Sequence, residues 1–235
     1  MRKPKLKGGN FMADKRSQLA RTLLWVAVLL LSVAALPLTS KASSVTIYSN
    51  FNSDPSNLYG STGWAELGPN IGDLSQIMAF TPSKSYDLTQ IDLAMGWISG
   101  TNSFTLDLET DNAGQPSGTV LGSWTINNMP PAFPACCAVD TVTSPGIFLQ
   151  GGDQYWLVAA FPGDTFALWM QNNIGASGNG ALSYEGSIWY PSVYNPNGAF
   201  DVLGNPTPEP SAAVLLGTAL AAFLVLFHFG SRRCG

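Results

Sequence analysis

From Ser85 to Trp97 the chain reads SYDLTQIDLAMGW, with Ile91, Leu93, Met95 and Trp97 on one face and Gln90, Asp92 and Ala94 on the other. The same two-residue period returns in Ser103–Glu109, where Phe104, Leu106 and Leu108 alternate with Thr105, Asp107 and Glu109. Such alternation predicts antiparallel strands with one dry and one wet face. Ser99–Asn102 is the turn between the two. Asp111–Gly118 (DNAGQPSG) predicts a longer turn, and Thr119–Ile126 the strand after it. Tyr155–Phe161 (YWLVAAF) suits a strand buried on both faces, expected to pair with Thr165–Gln171 across Pro162-Gly163-Asp164. Shorter candidates are Val45–Phe51, Gln76–Phe80, Ser187–Tyr190 and Ala199–Leu203. About nine strands without an amphipathic helix predict an all-β fold, an antiparallel β-sandwich of jelly-roll type.

The two ends carry a different pattern. Residues 1–22 hold seven of the basic residues, and Leu23–Leu36 is an apolar run of fourteen, followed by Ser40-Lys41-Ala42. Basic, apolar and small segments in that order predict a secretory signal peptide cut by signal peptidase after Ala42, whether the chain starts at Met1 or Met12. Fourteen helical residues reach only ~21 Å, short of the ~30 Å hydrocarbon core. Near the other end, Ala212–Phe229 is an apolar run of eighteen, with Arg232 and Arg233 directly behind it. Its ~27 Å predicts one membrane pass, and the arginines would hold that end in the cytoplasm. Three segments follow: a signal peptide over 1–42, a β-sandwich ectodomain over 43–204, and a C-terminal signal over 205–235.

The tail, with Pro208-Glu209-Pro210, then an apolar helix, then a basic end, resembles the PEP-CTERM sorting signal over about its last 28 residues. The resemblance implies recognition by an exosortase and removal of the tail, in a Gram-negative bacterium that makes extracellular polysaccharide. Pro208, Glu209 and Pro210 would then be recognition residues. Cys234, beyond the arginines, departs from the pattern. A second resemblance, to the choice-of-anchor R domain, covers roughly 45–204 by the spacing of its turns and strands. It rests on Gln76–Phe80, Tyr86–Ile91, Leu106–Asp111, Gly114–Leu121 and Leu149–Leu157. It implies a surface-exposed β-sandwich without an established activity.

Charge narrows the function classes. Only 11% of residues are charged, against ~25% for an average soluble protein. Between 45 and 207 the sole cation is Lys84 against thirteen acids, a formal charge of -12. Such a surface cannot offset phosphate, which excludes nucleic acid as a partner. The sole histidine, His228, lies in the tail's apolar run, so the ectodomain has no Ser-His-Asp or Cys-His machinery and no imidazole zinc site.

Asp107, Glu109 and Asp111 share one strand face at ~7 Å intervals, either as a solvated face or, with further oxygens, as a calcium site. Cys136-Cys137 could form a disulfide within the pair, bridge another chain or stay reduced. Trp189 and Tyr190 could be core aromatics or a platform for stacking sugar rings. The sequence therefore predicts a non-catalytic exported protein of the cell surface or polysaccharide matrix. A carbohydrate- or calcium-dependent binding module stands second and a carboxylate hydrolase third.

Overall fold

Side-chain alternation does produce strands, and the hydrogen-bonding partners of those strands divide them between two sheets. The computed structural model describes residues 43–134, 136–184, 188–207 and 217–219. In chain order the strands are β1 (Val45–Ser49), β2 (Gly63–Leu67), β3 (Leu74–Phe80), β4 (Tyr86–Leu93), β5 (Met95–Ser99), β6 (Ser103–Asp111) and β7 (Pro116–Asn127). They continue with β8 (Asp140–Leu149), β9 (Tyr155–Ala160), β10 (Phe166–Met170), β11 (Gly178–Tyr184), β12 (Ile188–Tyr194) and β13 (Phe200–Pro206). One sheet has the order β1-β13-β4-β8. The other runs β5-β10-β2-β3-β9-β6-β7, with β11 added on β3 and β12 on β11. The strand pairings are antiparallel, so the described part of 43–207 is all-β.

One core joins the sheets. Leu88, Ile91 and Leu93 of β4, Val142 and Leu149 of β8, and Phe200 and Val202 of β13 cluster with residues of the larger sheet. Those residues include Met78, Phe104, Leu106, Leu108, Leu157 and Trp169. Fully burying side chains of this kind contributes ~1.5–3 kcal/mol each. Phe200 sits at the centre, stacked on Tyr48 at 4.6 Å and meeting the edge of Trp169 at 6.2 Å.

The expected strand Ser85–Trp97 is divided at Ala94, where the chain passes from the small sheet to the large one. Three backbone bonds knit that corner: Ala94 N donates to Ala199 O at 3.1 Å, Met170 N to Ala94 O at 2.8 Å, and Ala199 N to Met170 O at 2.7 Å.

The expected β9–β10 hairpin does not form. Both edges of β9 are taken, by β3 and by β6, while β10 pairs with β2 and β5. The connection between them is instead held to neighbouring loops. Asp164 accepts from the backbone N–H and hydroxyl of Thr101, and Gly68 N donates to Thr165 O. Gly100, at a φ of 77°, lets the facing loop come close: a Cβ there would lie 2.0 Å from Asp164 O.

Strands β2, β8 and β11 were not expected from the sequence. A buried Glu66 breaks the pattern in β2, Pro145 and Gly146 interrupt β8, and β11 opens on Gly178-Asn179-Gly180. The last strand runs beyond the 204 boundary, to Pro206, and the backbone N–H and hydroxyl of Thr207 both donate to Ser85 O.

Three buried asparagines organise the chain near that knitted corner. Asn197 Oδ1 accepts from Asn50 Nδ2 at 2.9 Å and from Asn172 Nδ2 at 2.8 Å. Asn50 also donates to Gly198 O, and its Oδ1 accepts from Phe200 N at 2.7 Å. Asn172 closes its own loop by accepting from Ala176 N and donating to Ala176 O.

Signal peptide and Pro-Glu-Pro motif fall outside the described residues, as do Ser40, Ala42, Arg232, Arg233 and the expected membrane helix apart from residues 217–219. Among the described residues no helix is long and apolar enough to cross a membrane.

Asn197→Ala removes one acceptor shared by two buried donors. It should destabilise the fold by about 3 kcal/mol, seen as a lower urea midpoint with an unchanged denaturant slope.

Candidate functional site

Each sheet leaves an edge open, and two of these edges lie side by side. β7 pairs only with β6, and β8 only with β4. The gap between them is a groove of about 610 Å³, walled by Ser123–Asn127 on one side and Val139–Thr143 on the other. Strand alternation sorts its lining. Ile126, Asp140 and Val142 are buried on the floor, while Ser123, Thr125, Asn127, Thr141 and Thr143 are exposed along the rim. Trp124 reaches across from β7, donating its indole N–H to Thr143 O at 2.9 Å. Gly122 makes room for that indole, since a Cβ there would sit 2.6 Å from Trp124 Cη2 and from Ile147 Cδ1.

Asp140 is the acid among the described lining residues. It faces inward beside Leu93, is 8% exposed, and its Oδ2 has no hydrogen-bond partner. Burial pushes its pKa up to about 7. Tyr59 lies close by, with its hydroxyl donating to Ala138 O at 2.8 Å. Its ionisation is pushed up by burial first, and the charge of Asp140 adds to that. Cys136 and Cys137 are joined by a disulfide in the loop leading to β8, and Cys137 Sγ accepts from Leu58 N at 3.2 Å. The disulfide loop and the Tyr59 loop are thus tied together next to the acid.

Glu66 and Asp201 are also held above the usual carboxylate range. Glu66 is fully buried where β2 and β3 part after a single pair, Leu67 with Leu74. β11 occupies the edge of β3 beyond that point. Glu66 Oε2 accepts from Gln76 N at 2.9 Å, and Oε1 has no partner. Burial pushes its pKa well up, and the hydrogen bond from Gln76 only partly opposes this. Asp201 stands opposite Asp92 across β13 and β4. Burial and then the charge of Asp92 push it up to about 6. Asp92 is engaged by Gln90 Nε2 and by the Thr141 hydroxyl.

Of the three acids weighed as a solvated strand face or a calcium site, Asp111 and Glu109 are spent on N–H donors. Asp111 Oδ1 accepts from Trp156 Nε1 at 2.7 Å and Gln154 Nε2 at 3.0 Å, and its Oδ2 accepts from Gly114 N. Glu109 Oε2 accepts from Gly118 N at 2.6 Å, so both acids shape the β6–β7 hairpin. Asp107 Oδ1 is buried without a partner. Among the described residues no group of three or more His, Cys, Asp or Glu is placed to hold a metal.

Trp189 and Tyr190 are not brought together, because neighbours on a strand face opposite ways. Trp189 packs on Ile77, Trp156 and Ala181. Tyr190 is 54% exposed, on the same face of the hairpin as Tyr184 and Ile188.

Sequence reasoning missed the groove itself. Its available signal was an acid at an inward position of an alternating segment, Asp140 before Val142.

The chain matches no protein-family model and is significantly similar to no curated protein.

Folded Asp140 keeps its proton up to about 7, whereas an unfolded aspartate releases it near ~3.9. The folded state therefore binds more protons across that window, and this group's contribution to stability falls as pH rises from about 4 to about 7. Asp140→Asn abolishes that titration. Relative to the variant, the wild-type protein should lose stability between pH 5 and pH 8, read from urea midpoints at the two values.

Proposed function

We propose that the chain is an exported, non-catalytic protein of the cell surface or extracellular polysaccharide matrix, sorted by an exosortase. The observation that carries this is the order of the tail: Pro208-Glu209-Pro210, an eighteen-residue apolar run, then Arg232-Arg233. In this reading signal peptidase removes 1–42, the apolar helix tethers the chain to the membrane, and an exosortase then takes the tail. The folded part is a β-sandwich of jelly-roll kind, favoured by two antiparallel sheets closing on one core.

A carboxylate-pair hydrolase is the reading the groove supports less. Glycoside hydrolysis commonly needs two carboxyl groups flanking one bond. Asp140 stands alone among the described groove residues, and Glu66 is sealed from solvent.

The intact mass of the protein recovered from the surface and medium of its native host tests the sorting step. The expected mass lacks 1–42 and ends near Pro208–Ser211. A mass extending to Gly235 would replace exosortase sorting with a retained membrane anchor.

A further inference from the structure

We infer that the groove between β7 and β8 binds a neutral glycan chain. This rests on the extracellular reading, which brings the domain to polysaccharide, and adds where and by what chemistry contact is made.

The groove's two layers match the two kinds of surface on a sugar ring. A pyranose offers apolar C–H faces and a girdle of hydroxyls. Ile126 and Val142 close the floor from the core side, and the apolar surface open to a ring is the half-buried indole of Trp124 between the strands. Along the rim stand the exposed side chains of Thr125 and Asn127 on β7 and Thr143 on β8, while the Thr141 hydroxyl donates to Asp92. A volume of about 610 Å³ falls within the ~300–1,000 Å³ of small-molecule sites. Five residues on each wall make a trough roughly 16 Å long, bridged at one end by Trp124, which suits a few units of a polymer better than an enclosed ligand.

Charge selects among glycans. The described lining holds no cation, and Asp140 in the floor is nine-tenths buried with an oxygen lacking a partner. A uronate or sulfate would meet an acidic domain with a single lysine, at a formal -12 between 45 and 207. Neutral sugars carry no such penalty, and their hydroxyls can both donate and accept at the rim.

An added peptide strand fits less well. Strand addition draws on a run of free edge carbonyls and N–H groups, with pockets for alternate side chains. Trp124 already occupies Thr143 O, and the exposed residues flanking the groove are small and polar.

The test uses the full chain in a non-glycosidic detergent, on gels containing β-1,4-glucan, β-1,3-glucan, xylan, α-mannan or galactan, with polygalacturonate as the charged comparison. Retention by at least one neutral polymer is expected. The double variant Thr125→Ala/Asn127→Ala, altered only at exposed rim positions, should weaken it at least tenfold with an unchanged melting temperature. Tyr190→Ala, on the exposed face of the β11–β12 hairpin, should leave it unchanged. Failure of every neutral polymer to retard the chain would overturn the inference. So would stronger retention on polygalacturonate, or loss with Tyr190→Ala in place of the rim variant. None of these outcomes alters the mature mass, so the sorting proposal stands or falls separately.

Discussion

The two sheets meet at a corner held by buried amides, and the rest of the architecture follows from that junction. Asn50, Asn172 and Asn197 come from three distant parts of the chain, and each finds its partners in the other two or in the adjoining backbone. Their side chains are almost fully buried, at 1%, 3% and 0% exposure, where an unanswered amide would cost ~1–3 kcal/mol. The network therefore specifies one arrangement of the chain between β1 and β2, after β10 and before β13. The nearby ring of bonds among Ala94, Met170 and Ala199 lets β4 leave the small sheet and re-enter the large one as β5. Where β7 and β8 come alongside there is no comparable ladder. A single indole spans the gap, and the groove remains.

A shortage of cations governs the electrostatics. With Lys84 as the only basic side chain among the described residues, a buried acid cannot be answered by a salt bridge from arginine or by a second lysine. It must be answered by N–H donors or by its own proton. Asp111 and Glu109 take the first route, each holding the backbone of the β6–β7 hairpin. Glu66 and Asp140 take the second, each left with an unpartnered oxygen and each pushed upward by burial. Glu66 still has a structural use, since it accepts the N–H of Gln76 where β2 leaves β3. Asp140 has no such bond, and it lies in the groove.

Exposed apolar residues mark a different region. Tyr184, Ile188 and Tyr190 stand more than half exposed on one face of the β11–β12 hairpin, while Trp189 is turned to the other face and packs there. Aromatic composition alone could not separate these roles. The strand's two-residue period divides Trp189 from Tyr190, but the period cannot say which of its two faces meets a neighbouring sheet.

What the sequence determined by itself was local. Alternation over Tyr86–Leu93 and Ser103–Asp111, and the apolar run Tyr155–Ala160, mark strands because a period of two is a property of the extended backbone. The count of one lysine against thirteen acids likewise needed no coordinates. Tertiary structure decided which strands pair. β9 and β10 adjoin in sequence, yet both edges of β9 were claimed by β3 and β6, and edge occupancy is a contest among distant segments. It also decided what the acids do. The evenly spaced Asp107, Glu109 and Asp111 are drawn into hairpin geometry and burial, whereas Asp140, lone in its segment, is placed between two sheet edges that approach only when the whole core has closed.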